Sequence, residues 1–307
     1  MATRQLIFAG GAYDRTLALI DGTVKPEGLE LNWLMLPYLE IWKRMLNYYD
    51  FDASELSFSS YLIARSVGKS LIAIPVFPTR AFRHSYIFVN TKSGIEKPKD
   101  LVGKRIGVAD FQQTATVWMR GILQHEYGVD LDKIQWLIWE KESRVAISLP
   151  KRYSIQHIPA GKKPDEMLLN GELDAIIHAN LFPSLLRADH IQRLFRNYKE
   201  VETDYYKKTG IFPIMHTVAI KEDLWQDCSW IAISLYKAFQ AAKELAYQRL
   251  NDVNAYKISM VWFRAPMDEQ RDIFGDDPWP YGAENNRRAV ETLILYLSLS
   301  SRTRPYS

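Results

Sequence analysis

The sequence predicts an α/β protein, because short strand-like runs alternate with helical patterns along most of the chain. RQLIFAGG, LELNWLML and ASELSF each precede a segment with helical periodicity, which makes three βα-type units. The pattern restarts at GKRIGVAD, after a linker rich in Lys, Pro, Gly and Asp. A length of 307 residues allows one large domain or two lobes of ordinary size.

The remaining elements follow the same logic. A polar, irregular stretch is expected near residues 140 to 163, and the clearest helix runs from Ser229 to about Leu250, with apolar residues at spacings of three and four. Two smaller helices are expected to follow it. The other predicted strands are SLIAIPVF, SYIFVNT, KIQWLIW, ELDAIIHA and PIMHTVAI.

Composition limits the function classes. The chain is 47% hydrophobic and 24% charged with a net charge of +3, so neither nucleic acid nor an anionic membrane is demanded as a partner. Cys228 is the only cysteine and no Cys/His metal cluster is present, so we expect no metal site and a reducing compartment. The N-terminal apolar run is too short for a secretory signal, and no 18 apolar residues run together, which predicts a cytoplasmic protein.

Several catalytic motifs are absent. SVGKS at residues 66–70 lacks the first glycine of a phosphate loop and ends a helix instead of opening one. No GxGxxG follows a strand, no GxSxG is present, and HEYGV lacks the second histidine of a zinc helix. Nucleotide, serine-hydrolase and zinc-protease chemistry therefore lose support.

Positive charge precedes one predicted strand, in FPTRAFRHSYIFVNT at residues 77–91. If this stretch is extended, Arg80 and His84 lie on one side and Arg83 on the other, because side chains alternate along a strand. Solvated arginines on an edge strand are the simple interpretation. An anion site is the alternative.

Polar residues also occur where predicted strands end and helices begin. Ligands of open α/β sheets bind there, because strand carboxyl ends and helix N-termini converge with unpaired N–H groups. Helix capping explains any one such group equally well. The candidates are Tyr13, Asp14 and Arg15; Ser57, Ser59 and Ser60; Gln112, Gln113 and Thr114; and His178 and Asn180.

One histidine lies within an apolar strand pattern, His216 in IFPIMHT. It fits either a hydrogen-bonded core position or a proton carrier.

Six long segments together resemble the 4,5-dihydroxyphthalate decarboxylase family, nearly along the whole chain and in order. They are AYDRTLALIDGTVKPEG, SELSFSSYLIARS, AIPVFPTRAFRHSYIFVN, LVGKRIGVADFQQTATVWMRGILQHEYGV, TGIFPIMHTVAIKEDLW and DPWPYGAENNRR. The resemblance implies a two-lobed type 2 periplasmic-binding-protein-like fold with a ligand cleft between the lobes. Lobe 1 would comprise residues 1–100 and 206–307, around a second lobe at 101–205.

The resemblance also implies a reaction, non-oxidative loss of CO2 from a hydroxylated aromatic diacid such as 4,5-dihydroxyphthalate, giving 3,4-dihydroxybenzoate. His84 and His216 are the predicted proton carriers, because imidazole titrates near working pH. Arg80 and Arg83 are assigned to the substrate carboxylates. Orienting hydrogen bonds are assigned to Tyr13, Ser59, Gln112 and Thr114.

The chain departs from the family pattern after the strand DAIIHA, where the family has an arginine and prolines and this chain has His178, Ala179, Asn180 and Leu181. A different substrate group is therefore an alternative, as is a solute-binding protein for an aromatic carboxylate, because one fold serves both purposes. No cofactor is expected, although a divalent metal stays open. The family resemblance also implies a homo-oligomer.

Overall fold

The computed structural model describes residues 3–141, 144–252, 254 and 258–300. The chain divides into two compact units. Unit 1 comprises Met1–Arg80 and Ile214–Arg287, and unit 2 comprises Ala81–Pro213 and Arg288–Ser307. The chain therefore passes from one unit to the other after residues 80 and 213. The sequence analysis expected these divisions near residues 100 and 205. The last helix also counts with unit 2 instead of lobe 1.

Unit 1 contains a mixed sheet in the order β2-β1-β3-β11-β4 within the described residues. Strands β1, β2 and β3 run parallel, and β11 pairs antiparallel with β3 and β4. The strands are β1 (Arg4–Ala9), β2 (Leu29–Leu34), β3 (Ala53–Ser57), β4 (Leu71–Ile74) and β11 (His216–Lys221).

The helices of unit 1 follow these strands or cover the sheet. They are α1 (Asp14–Ile20), α2 (Tyr38–Tyr48), α3 (Phe58–Ser66), α8 (Glu222–Asp227), α9 (Trp230–Asn251) and α10 (Arg264–Phe274). Phe8, Trp33 and Phe239 form an aromatic core, with ring centroids 4.2 to 6.0 Å apart. This places α9 against β1 and β2, as the apolar spacing of α9 requires.

Strand β3 is buried at each of its five positions, because it lies between β1 and β11. A central strand of this kind is normally apolar throughout. Glu55 is the charged residue in β3 and has 1% of its surface exposed. An acidic side chain in this position requires partners.

Unit 2 contains a second mixed sheet in the order β10-β5-β9-β6-β7-β8 within the described residues. The strands are β5 (Ile87–Asn90), β6 (Arg105–Val108), β7 (Gln135–Ile138), β8 (Ser154–His157), β9 (Ala175–Ile177) and β10 (Ile191–Arg193). The helices are α4 (Thr114–His125), α5 (Pro164–Leu169), α6 (Pro183–Leu186), α7 (Tyr198–Thr209) and α11 (Arg287–Ser300).

Helix α11 joins unit 2 through Tyr296, which packs edge-on against Trp118 of α4 with ring centroids 5.6 Å apart. The ring lies over Gly121, where any Cβ would overlap it. The glycine thus allows the close approach of the two helices. Its place in the middle of α4 is explained by packing and not by helix propensity.

The predicted α/β organisation is confirmed, and so are the strands and helices of the first 70 residues. Two details of the sequence prediction are wrong. The stretch before β5 is not extended, because His84–Tyr86 forms a 3-10 turn. The supposed alternation of Arg80, Arg83 and His84 therefore does not apply. The stretch near residues 140 to 163, which was expected to be irregular, contains β8, and this strand pairs in parallel with β7.

None of the helices in the described part of the chain combines the length and the hydropathy that crossing a membrane requires.

Candidate active site

Glu55 and His216 form a carboxylate–imidazole pair in unit 1. In the antiparallel pairing of β3 and β11, His216 lies opposite Ser57 and Val218 lies opposite Glu55. Residues 55 and 57 share a face of β3, so His216 is the diagonal neighbour of Glu55 on that face. The Nδ1 atom of His216 lies 2.5 Å from Oε1 of Glu55.

The Glu55 carboxylate is surrounded by donors. The Gly11 N–H donates to Oε2 at 3.0 Å, and the Tyr13 hydroxyl donates to Oε1 at 2.7 Å. Burial opposes ionisation of this carboxyl, but the hydrogen bond and charge of His216, with Gly11 and Tyr13, outweigh burial and lower its pKa. Glu55 is therefore an ionised acceptor at neutral pH.

An ionised Glu55 determines the tautomer of His216. Because the carboxylate can only accept, the proton between the two groups belongs to Nδ1 of the imidazole. The Nε2 atom then carries a lone pair when the ring is neutral. The His216 side chain is 14% exposed whereas that of Glu55 is 2% exposed, so the imidazole is the accessible member of the pair.

Two aromatic side chains of α2 pack on the imidazole. Tyr38 and Trp42 have ring centroids 5.3 and 5.1 Å from that of His216. The hydroxyls of Tyr38 and Tyr13 are hydrogen-bonded to one another. Burial and the charge of Glu55 raise the pKa of Tyr38 to about 12 and that of Tyr13 further, so both phenols stay protonated.

Of the predicted residues, Tyr13 directly precedes α1, and Asp14 and Arg15 begin it. Arg15 lies between two aromatic rings, 4.5 Å from the centroid of Tyr13 and 4.6 Å from that of Trp279. Its guanidinium donates to the carbonyl of Pro78 and pairs with Asp14 at 3.0 Å. Tyr13 is thus part of the Glu55 network, and Arg15 supports its ring.

Ser59, another predicted ligand, is fully buried in the first turn of α3. The neighbouring Ser60 hydroxyl donates to the Ser57 hydroxyl at 3.1 Å. These buried serines connect α3 to the end of β3 and do not present a hydroxyl at the surface.

Arg80 is buried at the end of unit 1, where its guanidinium donates to the Pro280 carbonyl at 2.8 Å and to the side chain of Asn286. Asn286 in turn donates to the carbonyls of Pro280 and Gly282. These contacts tie Arg80 to the turn that contains the aromatic segment DDPWPYG. They give Arg80 a structural role, and its predicted contact to a substrate carboxylate stays a prediction.

Arg83 belongs to unit 2 and has 7% of its surface exposed. It donates to the Ala179 carbonyl at 2.9 Å, and its guanidinium lies 4.9 Å from the centroid of the Tyr86 ring. Burial lowers the pKa of Arg83 to about 10, which leaves it charged at neutral pH. A buried, still charged guanidinium is suited to an anionic ligand.

His84 lies in an aromatic cluster of unit 2, with Phe195, Tyr205 and Tyr127 at centroid distances of 5.1, 5.5 and 6.1 Å. Neither ring nitrogen has a hydrogen-bond partner among the described residues. Nδ1 lies 3.9 Å from the carboxylate of Glu202. Burial lowers the pKa of His84 to about 4, so the ring is neutral at working pH.

Gln112 and Thr114 follow β6, and both are buried. The Gln112 side chain pairs with the backbone of Val145 in both directions, at 2.8 and 3.3 Å. It therefore holds the loop that carries Arg144, whose Nε lies 3.6 Å from Oδ2 of Asp110. Burial raises the pKa of the Asp110 carboxyl despite the nearby arginines.

His178 and Asn180 follow β9 and interact locally, since the Asn180 N–H lies 3.2 Å from Nδ1 of His178. The His178 ring stacks on Phe182 and packs against Trp139. Burial and the charges of Arg83 and Arg144 lower the pKa of His178 to about 4. The two arginines thus create a positive potential at the carboxyl end of β9.

The described residues contain no group of three or more His, Cys, Asp and Glu arranged to hold a metal ion.

Among the residues proposed on sequence grounds, the structure brings two pairs together. His216 and Tyr13 meet at Glu55 in unit 1, and Arg83 lies near His178 in unit 2. Sequence analysis missed Glu55, Tyr38 and Arg144. The available signal for Glu55 was an acidic residue at the centre of the strand ASELSF. Tyr38 and Arg144 carried no such signal, because a helix start and a polar loop tolerate both residue types.

No family model matches the chain. A 4,5-dihydroxyphthalate decarboxylase of Comamonas testosteroni is 36% identical over 302 residues, which cover 96% of this chain and 91% of that protein. The chain belongs to the 4,5-dihydroxyphthalate decarboxylase family. A second enzyme of that name, from Pseudomonas putida, is 36% identical over 210 residues, covering 66% of this chain and 81% of that protein.

Solved structures similar to this family member share its fold at low sequence identity. A protein from Archaeoglobus fulgidus aligns over 97% of this chain and 98% of its own, with a TM-score of 0.57 and 13% identity. The periplasmic aliphatic sulphonate binding protein SsuA of Escherichia coli covers 100% and 87%, with a TM-score of 0.52 and 13% identity. The predicted periplasmic-binding-protein-like fold is thereby confirmed.

Proposed function

We propose that this chain is a carboxy-lyase that removes CO2 from a hydroxylated aromatic diacid, such as 4,5-dihydroxyphthalate, and yields 3,4-dihydroxybenzoate. The observation that carries the proposal is the Glu55–His216 pair, a 2.5 Å contact between a buried carboxylate and an accessible imidazole. It occurs in a chain that is 36% identical to proteins named for this reaction.

The chemical difficulty is the bond to a ring carbon, because the electron pair of the departing carboxylate cannot enter the aromatic π system. A hydroxyl para to that carboxylate removes the difficulty when it loses its proton. Its electrons then reach the ipso carbon, which takes up a proton. The C–C bond breaks, its electron pair restores the aromatic ring, and CO2 leaves. The net change is the replacement of a carboxylate by hydrogen, with no oxidant consumed.

His216 is suited to take the hydroxyl proton, because its neutral tautomer presents a lone pair at Nε2. Glu55 acts through His216: it orients the ring and stabilises the imidazolium that forms, the role of the buried carboxylate in hydrolase triads. Glu55 is therefore a positioning residue, and His216 is the proton carrier.

The sequence analysis named His84 as the other proton carrier and left open which of the two histidines donates and which accepts. Full burial and a pKa lowered to about 4 leave His84 neutral near pH 7. The structure thus favours His216 over His84 as a proton carrier, and the role of His84 stays a prediction.

Arg83 is proposed to bind a substrate carboxylate, since it is buried and charged. The pairing should hold the carboxylate that is retained. A tight ion pair to the leaving carboxylate would stabilise the substrate more than the CO2-like transition state.

No organic cofactor is proposed, because the para hydroxyl of the substrate itself supplies the electrons that allow the ring carbon to be protonated. A cytoplasmic location and homo-oligomeric assembly also stay predictions. The lone Cys228 supports a reducing compartment, and cell fractionation and light scattering would test the two predictions.

The test is incubation of the purified chain with 4,5-dihydroxyphthalate, with and without a chelator, while CO2 release and aromatic products are followed. We expect one equivalent each of CO2 and 3,4-dihydroxybenzoate. His216→Ala should bind the substrate and lose most of the turnover. Tight binding by the wild type without any product would show a solute-binding protein instead, and no binding would redirect the search to other aromatic or heterocyclic acids.

A further inference from the structure

Tyr38 is a half-buried residue at the start of α2 to which the reaction scheme has assigned no role. Its hydroxyl contacts that of Tyr13, and the number of protons in this network determines which of the two donates. Tyr13 has one hydroxyl proton, and it goes to Oε1 of Glu55 at 2.7 Å. The hydrogen bond between the two phenols must then use the proton of Tyr38.

The same count shows what Tyr38 still offers. A phenol has one donor proton and can also accept. Since its proton is directed to Tyr13, the Tyr38 oxygen can act only as an acceptor toward another group. Thr79, whose hydroxyl lies 2.6 Å from that of Tyr13 and 3.1 Å from Glu55, supplies a further proton to the interior of the network.

His216 presents the same property beside it. Its Nδ1 proton is directed to Glu55, so Nε2 of the neutral ring is an acceptor. The rings of Tyr38 and His216 are neighbours, with centroids 5.3 Å apart, and both residues are partly exposed. Two neighbouring rings thus each carry an acceptor, and the described residues supply no donor to either acceptor from outside the network.

We propose that Tyr38 and His216 together recognise two adjacent hydroxyl groups on an aromatic ring, with each residue accepting a hydrogen bond from one hydroxyl group. Tyr38 is then a specificity-determining residue that selects a catechol over a ring with a single hydroxyl. The inference rests on the proposed function for the substrate class alone.

A carboxylate is the competing ligand for this position, and the local charges disfavour it. A carboxylate can only accept hydrogen bonds, and it would face two acceptors. The buried charge of Glu55 is hydrogen-bonded to His216 and would repel a second anion at this position. A catechol is neutral and supplies two donors, so it matches the network in both charge and hydrogen bonding.

The inference is tested by measuring the affinities for 4,5-dihydroxyphthalate, 4-hydroxyphthalate and phthalate by calorimetry. The measurements are made without turnover, or within an incubation short enough to keep turnover small. The wild type should bind the dihydroxy acid at least about tenfold more tightly than the monohydroxy acid, because an acceptor left without its donor is costly. Tyr38→Phe should reduce this preference to within about threefold and leave phthalate affinity unchanged.

The matched control is Tyr48→Phe, at the exposed end of the same helix. Tyr48 has 64% of its surface exposed. It should keep the full preference of the wild type. Equal binding of the two hydroxylated acids by the wild type would overturn the inference, and so would an undiminished preference in Tyr38→Phe.

A second probe works even if Tyr38→Phe does not fold. In 4-hydroxy-5-methoxyphthalate one oxygen is kept but its proton is lost. Affinity of the wild type for this acid should fall as far as for the monohydroxy acid, and unchanged affinity would overturn the inference. Because all these measurements concern binding, failure to release CO2 would sink the proposed reaction and leave the recognition of a catechol standing.

Discussion

His216 lies diagonally opposite Glu55 across the pairing of β3 with β11, and the two side chains meet on one face of the sheet at 2.5 Å. Both residues belong to central strands, which fix their backbone positions. Strand β3 is buried at all its positions, and β11 is paired with a neighbouring strand on each side. The contact is therefore set by the register of the strands and not by flexible side chains. A one-residue slip of β11 would turn His216 to the other face.

Glu55→Gln tests the positioning role of the carboxylate. The amide keeps the size of the side chain and can accept from Nδ1, but it has no charge to stabilise an imidazolium. We expect kcat to fall by roughly 10² to 10⁴-fold with little change in KM, as for other carboxylates that orient a catalytic histidine. Steady-state kinetics measure both constants. The control is Glu40→Gln, which changes an exposed carboxylate of α2 and should behave as wild type. A similar loss of kcat in Glu40→Gln would show that the effect is not specific to Glu55, and would remove Glu55 from the mechanism.

His216→Ala and His84→Ala compare the two predicted proton carriers. Loss of a positioned acid or base costs about 10²- to 10⁴-fold in turnover, and we expect this loss for His216→Ala with substrate binding retained. His84→Ala should retain much more activity, because its ring is buried and neutral near pH 7. Single-turnover product formation together with calorimetric binding would measure both effects. If both variants kept wild-type turnover, neither histidine would be a proton carrier.

Arg83→Ala should weaken substrate binding by about 2 to 5 kcal/mol if the ion pair is desolvated. The matched variant is Arg80→Ala, in which the partners Pro280 and Asn286 lose a buried donor. For Arg80→Ala we expect a fall of about 1 to 3 kcal/mol in the free energy of unfolding and a smaller effect on affinity. Calorimetry and urea denaturation separate the two outcomes. The opposite pattern, with affinity lost only in Arg80→Ala, would exchange the two assignments.

Stability should fall in acid because of His84. Its pKa is about 4 in the folded protein against an ordinary value of 6.5, so the folded state resists a proton that the unfolded state accepts. The resulting stabilisation is complete above pH 6.5 and is lost as the pH falls toward 4. The loss between pH 7.5 and 5 amounts to about 2 kcal/mol of the free energy of unfolding.

His84→Leu should remove this part of the pH dependence in urea denaturation. Glu202, whose pKa is raised by burial, acts in the opposite direction in both proteins, so the difference between variant and wild type isolates His84. Identical pH dependence in the two would contradict the lowered pKa.

Much of the architecture follows from local patterns. Alternating strands and helices were identified in the first 70 residues, and the apolar spacing of residues 229–250 predicted α9. The exceptions have physical reasons. β8 and β10 are short edge strands with mostly polar or partly exposed residues, so they lack a hydrophobic period. The turn His84–Tyr86 was not predicted, because it directly precedes an apolar strand and was included in the same extended stretch.

The candidate site was predicted only in part, and the reason is the distance along the chain. His216 was singled out by its apolar context, but its partner Glu55 lies 161 residues earlier. Tyr13 was chosen as a strand-end residue, whereas its hydrogen bonds to Glu55 and Tyr38 were not foreseen. Gln112 was predicted to contact a ligand, and the structure shows it holding the backbone of Val145.

By itself, the sequence determined the α/β class, the family and the identity of several polar residues at strand ends, because these depend on local periodicity and on residues close together in the chain. Only the tertiary structure decided that Glu55 is ionised and that His216, Tyr13 and Tyr38 join its hydrogen-bond network. Those properties arise from burial and from hydrogen bonds between distant segments, and a linear pattern contains neither.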